Sequence, residues 1–334
     1  MITVSKLGRK ILQCFPYCLV KDKFAIKEDV SRIGAVASDA PRMFNEHGEE
    51  IKVFYLKDSA NVHTPYSLSS TRYPRRILWD RFNVSLKTHF YVHEEIFTGN
   101  YPCDRKMAIL RESEATMTHL YDGAMNNPVL MSEFDMIFTN SERILNRYEN
   151  ARFAPAGYVW YATGRDGGEL SEKNIDRKEK NISIVSSDKS MCEMHVVRAE
   201  LARHYKGSDK VDAYGNAVGN YLPQKADSLT PYRYSIALEN AQTPYYFTEK
   251  ILDCFASMTV PIYYGATKID EYFNPDGILQ ISRSQLDDFS EIDKLIEACD
   301  EKDYESRRDA ILDNYNRVMD YLCFEDYLDT HYDL

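Results

Sequence analysis

Residues 232–265, YRYSIALENAQTPYYFTEKILDCFASMTVPIYYG, constrain the fold more than any other part of the chain. Tyr234–Leu238 is a β-rich run ending in the polar pair Glu239–Asn240, and Thr248 stands where a helix cap belongs. Thr248–Ser257 reads as a helix with Ile251, Cys254, Phe255 and Met258 on one face, and Val260–Tyr264 as a strand closed by Gly265. Alternating strands and helices imply a parallel sheet covered on both faces.

The same alternation begins earlier. Ile182–Val185 is a β-branched run, SSDKS a turn and cap, and Met194, Val197, Leu201 and Tyr205 follow at helical spacing. Ahead of it, residues 165–181 (RDGGELSEKNIDRKEKN) are charged and nearly free of apolar side chains, the composition of a solvated linker. At 334 residues the chain exceeds the size at which one core keeps growing, so two domains are expected. The boundaries read as an N-terminal domain over 1–164, a linker over 165–181, a second domain over 182–300 and a tail over 301–334, with helices between Glu291 and about Tyr327. In the N-terminal domain the short runs Ile51–Leu56 and Met107–Leu110 are strand candidates.

Composition narrows the partners. A net charge of −11 without a large basic patch disfavours nucleic acid. Seven cysteines, of which only Cys14 and Cys18 are close in sequence, complete no zinc framework and fit reduced thiols. Nor do His89, His93, Glu94 and Glu95 form the helical zinc motif, so no metal site is expected. Ile11–Val20 is interrupted by proline and is half the roughly 20 apolar residues that cross a bilayer. The expectation is a cytoplasmic protein with no transmembrane segment, either free or peripheral to a membrane.

Open parallel sheets bind ligands at the carboxyl ends of their strands, where helix N-termini point. No glycine fingerprint or phosphate-loop lysine follows these strands, which argues against an ordinary dinucleotide or ATP site. Lys250 in a first helical turn adds positive charge to an end already positive, which makes sense where an anion binds. A diphosphate would supply that anion. Glu249 can accept hydrogen bonds from ribose or sugar hydroxyls, and Glu239, Asn240, Tyr246 and Thr248 stand at the same strand-to-helix junction.

The elements YRYSIALENA, YYFTEK and VPIYYG, followed by FNPDGILQI, resemble in order and spacing the hallmark of the α-1,3/1,4-fucosyltransferases, glycosyltransferase family ten. Departures are Arg233 for the usual lysine and Ala241 for the usual serine. A second block, IVSSDKSMCEMHVVRAELARHY, is similar to the family's phosphate-contacting strand, loop and helix, with Arg198 at the place of the phosphate-binding arginine and Ser186 and Ser187 at the strand end. In the N-terminal half, KMAILRESEATMTHLY resembles the strand after which the family carries its catalytic glutamate. Glu112 aligns there, with Glu114 as the alternative. FAPAGYVW is similar to the family's interdomain passage.

The resemblance implies an α/β architecture of two facing Rossmann-like domains, the GT-B type, with acceptor on the first and GDP-sugar on the second. It implies an inverting, metal-independent transfer of L-fucose from GDP-β-L-fucose to a hydroxyl of an oligosaccharide or glycoconjugate acceptor, in an α-1,3 linkage, with no further cofactor. Trp79 and His93 are candidate acceptor contacts, Trp79 because indole rings stack on sugar faces. Another nucleotide sugar as donor, or a degenerate module that binds glycan or nucleotide without turnover, stays open at this level.

Overall fold

The computed structural model describes residues 43–58, 68 and 72–334. Ile11–Val20, Cys14 and Cys18 lie outside the described residues. Two sheets organise the rest. The N-terminal sheet contains β1 (Met43–Phe44), β2 (Glu50–Lys57), β3 (Ile77–Asp80), β4 (Thr88–Val92), β5 (Arg105–Leu110), β6 (Met136–Thr139) and β7 (Ala151–Phe153). Its spatial order is β1-β2-β4-β5-β6-β7 with β3 also on β2, and every pairing except β1–β2 is parallel. The C-terminal sheet contains β8 (Lys180–Val185), β9 (Val211–Tyr214), β10 (Tyr232–Leu238), β11 (Val260–Tyr264) and β12 (Leu279–Gln280). It is parallel throughout, in the order β12-β11-β10-β8-β9.

The expected α/β fold with two parallel-sheet units is therefore what the chain adopts, and the strands sit where their β-branched and aromatic runs place them. β10 and β11 pair in register from Tyr234↔Val260 to Leu238↔Tyr264, all ten side chains buried or nearly so, as the middle of a sheet covered on both faces requires. The helix Glu249–Ala256 between them departs from a simple amphipathic reading. Leu252, Asp253 and Ala256 are as buried as the apolar face, because the helix is wedged between the two sheets rather than lying at the surface.

One buried cluster spans both halves. It runs from Phe54, Trp79 and Phe90 of the N-terminal sheet through Phe247, Ile251 and Phe255 to Phe273, Phe324 and Tyr327. Separate clusters lie around the C-terminal sheet and on the other side of the N-terminal one. The tail supplies part of this contact. Its last helix, Phe324–His331, returns to the N-terminal sheet, where the fully buried Glu325 accepts a hydrogen bond from the Trp79 indole at 2.9 Å and Asp329 pairs with Arg76 and Lys52 at 2.7 and 3.0 Å. Trp79 is thus a core residue, held by a buried carboxylate and 1% exposed, and cannot present its face to a sugar.

The stretch 165–181, expected to be solvated, is anchored. Asp166, Asn174, Ile175 and Lys178 are buried, and the Lys178 ammonium donates to the carbonyls of Leu229, Thr230 and Ser257 and to the Thr259 hydroxyl. A charged residue is tolerated inside because four oxygens replace its water. The five described cysteines are unpaired, and among the described residues no helix is long and apolar enough to cross a membrane.

Candidate functional site

The carboxyl ends of the two sheets face a common cavity of about 600 Å3. Its C-terminal wall includes Ser187, Arg198, Asn240, Tyr246, Thr248, Glu249 and Lys250, and its N-terminal wall Arg111, Glu112 and the passage Ala156–Tyr158. Residues that are 138 positions apart in sequence, Glu112 and Lys250, thereby share one space.

Glu239 builds the C-terminal wall without lining it. Fully buried at the end of β10, it accepts the Thr248 amide at 2.7 Å with one oxygen, and the Thr248 hydroxyl at 2.7 Å and the Lys250 ammonium at 3.2 Å with the other. Thr248 in turn caps the helix by accepting the Lys250 amide at 3.4 Å. Gly265 makes room for this lock, since a Cβ there would stand 2.6 Å from Glu239 Cγ and 2.2 Å from the Tyr263 hydroxyl. Gly157 of the FAPAGYVW passage closes the other side, where a Cβ would lie 2.5 Å from Thr248 Cα and 2.7 Å from the Glu249 nitrogen.

On this geometry Lys250 does not require a bound anion to be compensated. Its compensating charges are internal: Glu239 at 3.2 Å and Glu249 at 3.4 Å. Burial pushes the Glu249 carboxyl up, but Lys250 and Lys225 with hydrogen bonds at the helix start outweigh it and bring the pKa down to about 2. The lysine keeps an exposed edge on the cavity all the same.

Arg198 is 7% exposed, on the helix Glu193–His204, and its Nη1 donates to the Leu238 carbonyl at 2.8 Å and toward Asn240 Oδ1 at 3.5 Å. Those bonds fix the guanidinium at the end of β10 with its remaining donors available to a ligand. Burial lowers its pKa, opposed by Glu239 and Glu249. One turn before it, His195 is buried with Nδ1 unmet, and burial together with Arg198, Lys189 and Lys250 depresses its pKa against an opposing hydrogen bond with Asn240, a balance that favours the neutral ring. Arg198 and Lys189, beside a Lys250 offset by Glu239 and Glu249, leave this wall cationic in a protein of net negative charge.

A cluster that the sequence reading missed completes the floor. Asp253, 0% exposed, accepts the Trp160 and Tyr161 amides at 2.7 and 2.9 Å and pairs with Lys225 at 2.7 Å. Lys225 and Arg165 lie over the Trp160 ring at 5.7 and 4.5 Å, and all three line the cavity. These residues come from three separate segments, and no spacing in the sequence links them.

On the N-terminal wall, Glu112 follows β5 and precedes the Ser113 cap of the helix Glu114–Asn126. Its carbonyl accepts from the Tyr121 hydroxyl, and the Arg111 carbonyl accepts from Asn140 Nδ2 at 2.7 Å, so the turn that carries the carboxylate is pinned at two points. The Tyr246 phenol, 3% exposed, is raised by burial and then by the charges of Glu239, Glu112 and Glu249. Glu114 is elsewhere: it accepts from Ser141 Oγ at 2.5 Å and Arg143 at 2.9 Å and does not reach the cavity. Ser186 is buried with its hydroxyl on the Ser187 carbonyl, and Ser187 is the serine that lines. His93 is buried, outside the lining, with both ring nitrogens unmet, and burial and the Arg111 charge bring its pKa down to about 4.

Residues 175–308 match the family model for the C-terminal part of glycosyltransferase family 10 (fucosyltransferase). The α-(1,3)-fucosyltransferase FucT of Helicobacter pylori is 33% identical over 82 residues, 25% of this chain and 16% of that protein. The α-(1,3)-fucosyltransferase B of Drosophila melanogaster is 25% identical over 201 residues, 53% of this chain and 43% of that protein. The chain thus spans less than half the length of these two relatives. A solved α1,3-fucosyltransferase with GDP aligns at a TM-score of 0.48 and 16% identity over 88% of this chain and 90% of that one. Residues 175–308, which contain the β10–helix–β11 unit and the Glu239–Thr248–Lys250 lock, thus carry the match to the C-terminal part of glycosyltransferase family 10.

Proposed function

We propose that this chain transfers L-fucose from GDP-β-L-fucose to a hydroxyl of an acceptor glycan, with inversion at the anomeric carbon and in an α-1,3 linkage. The observation that carries the reading is that Glu112 on one wall faces Arg198, Asn240, Glu249 and Lys250 on the other across a single cavity.

In this mechanism a Glu112 carboxylate oxygen takes the proton of the acceptor hydroxyl as that oxygen bonds to the anomeric carbon. The bond from that carbon to the GDP phosphate oxygen breaks on the opposite face, and the electron pair leaves with GDP. General base help of this kind contributes roughly 10²–10⁴ in rate. Arg198 and Lys250 meet the charge that grows on the diphosphate, with Ser187 and neutral His195 as further donors, so the transfer needs no metal ion. Glu249 and Asn240 hold sugar or ribose hydroxyls, Tyr246 separates the two walls, and Thr248 with Glu239 positions Lys250.

The test is release of GDP from GDP-fucose by the intact protein, with and without EDTA and a glycan acceptor pool. Release that survives EDTA and depends on Arg198 and Lys250 is the expected result. Turnover of UDP-glucose or GDP-mannose in preference to GDP-fucose refutes the donor, and GDP binding without turnover of any nucleotide sugar refutes the enzyme.

A further inference from the structure

Three lysine or arginine side chains are buried among the described residues, and two of them are satisfied. Lys178 has four oxygen partners, and Arg198 has the Leu238 carbonyl and Asn240. Arg111 has neither an ion pair nor a side-chain hydrogen bond. It is 5% exposed, it lines the cavity, and its Nε and Nη1 meet no acceptor. Nε belongs to one forked edge of the guanidinium and Nη1 to the other, so neither edge holds a bidentate partner.

Its flat faces are covered instead. The guanidinium carbon lies 4.6 Å from the Phe324 ring centroid and 5.8 Å from that of Tyr158. Stacking of this kind steadies the plane; Nε and Nη1 are shut off from solvent, so Nη2 is the donor left to meet the cavity. His93, at the end of the neighbouring strand β4, is buried beside it with both nitrogens unmet and a backbone φ of 53°, in the left-handed region. A permanently charged group buried without a counter-charge is strongly unfavourable, and such a group is kept where a ligand supplies the missing anion.

We propose that Arg111 is a subsite for a carboxylate on the acceptor glycan, so that the acceptor contains an acidic sugar such as a uronic or sialic acid. This rests on the fucosyl-transfer reading above. Two observations favour the acceptor over the donor diphosphate as the source of the anion. Arg111 directly precedes Glu112, so whatever it holds lies beside the hydroxyl that Glu112 deprotonates. The donor wall opposite already has Arg198, Lys189 and Lys250. An acidic acceptor brought next to the Glu112 carboxylate also needs a cation there to offset the repulsion.

The experiment uses disaccharide acceptors in matched pairs, in which one ring has a carboxylate or the same carbon is reduced to hydroxymethyl. Transfer from GDP-fucose and saturation-transfer NMR binding to the GDP-loaded protein are both measured. The parent should prefer at least one acidic member over its neutral partner by roughly tenfold or more, the scale of a charge-assisted bond. Arg111→Gln should abolish that preference and leave GDP affinity unchanged, and Arg111→Lys should keep part of it. Should Arg111→Gln fail to fold, the parent pairs and Arg111→Lys still decide. Equal binding of acidic and neutral members throughout the panel overturns the proposal, as does an Arg111→Gln effect confined to GDP, which would make the anion the diphosphate. If no nucleotide sugar turns over, the transferase reading fails while the NMR comparison still decides the carboxylate subsite.

Discussion

Replacing Glu239 by glutamine isolates the lock that holds the cavity's C-terminal wall. The carboxylate is 0% exposed and takes three hydrogen bonds, from the Thr248 amide, the Thr248 hydroxyl and Lys250. Glutamine fits the same volume but offers one oxygen and one NH2 group. If the oxygen keeps the Thr248 amide, the NH2 faces the ammonium, donor against donor, and Lys250 retains the Thr248 hydroxyl at 2.9 Å and, as its one remaining counter-charge, Glu249 at 3.4 Å. Breaking one partner of a buried ion pair costs about 3–5 kcal/mol. Lys250 is 20% exposed, so water recovers part of this and about 3 kcal/mol is expected. Urea unfolding followed by circular dichroism measures the loss, and calorimetric GDP titration measures the site. Trp160 lies in the cavity wall while the other tryptophan, Trp79, is in the core, so a GDP-dependent change in emission reports Trp160. A stability change below about 1 kcal/mol together with unchanged GDP affinity would refute the lock.

Further outcomes follow from the same geometry. Glu112→Gln should lower kcat by roughly 10²–10⁴ with GDP affinity intact, whereas Glu114→Gln should leave turnover unchanged and cost under about 1 kcal/mol from its half-exposed pair with Arg143. Steady-state kinetics on both variants checks this. Gly157→Ala drives a methyl group into the Thr248 backbone, so a loss of about 1–3 kcal/mol in thermal stability and weaker GDP binding are expected. For pH, the Glu249 carboxyl falls from 4.5 to about 2 on folding. A depressed carboxyl contributes stability that is full above about pH 4.5 and is lost as pH drops toward 2, here on the order of 3 kcal/mol. Stability curves of the parent and Glu249→Gln should differ most above pH 4.5 and converge near pH 2.

The parts of the site that were legible are those whose cause is local. Strand β10, the Thr248 cap, the helix and β11 fall within 34 consecutive residues of a repeating pattern, and their boundaries in the structure differ from the pattern by a residue or two. Asp253 was illegible for the opposite reason. A carboxylate in the second turn of a helix reads as solvated, and it is buried here because residues 158–161 and Lys225 close over it from elsewhere in the chain. Trp79 misled in the same way: its partner Glu325 lies 246 residues on, in a helix whose return to the N-terminal sheet nothing in its own composition announces.

A local rule separates Glu112 from Glu114 as candidate bases. Ser113 in R-E-S-E-A is a strong N-cap, and its hydroxyl does accept the Ala115 amide at 3.2 Å. Once Ser113 caps, Glu114 is the first helical residue, where an acid suits the dipole and turns toward Ser141 and Arg143. Glu112 is then the last residue before the cap, at the end of a sheet strand, which is where an open parallel sheet presents side chains to a ligand. The same step places Arg111 one residue deeper, still within reach of the cavity but stacked between two rings. The proposed base and the buried cation are thus both positioned by one capping serine, and Ser113→Ala, which removes the cap and leaves both side chains in place, should weaken turnover and any preference for acidic acceptors together.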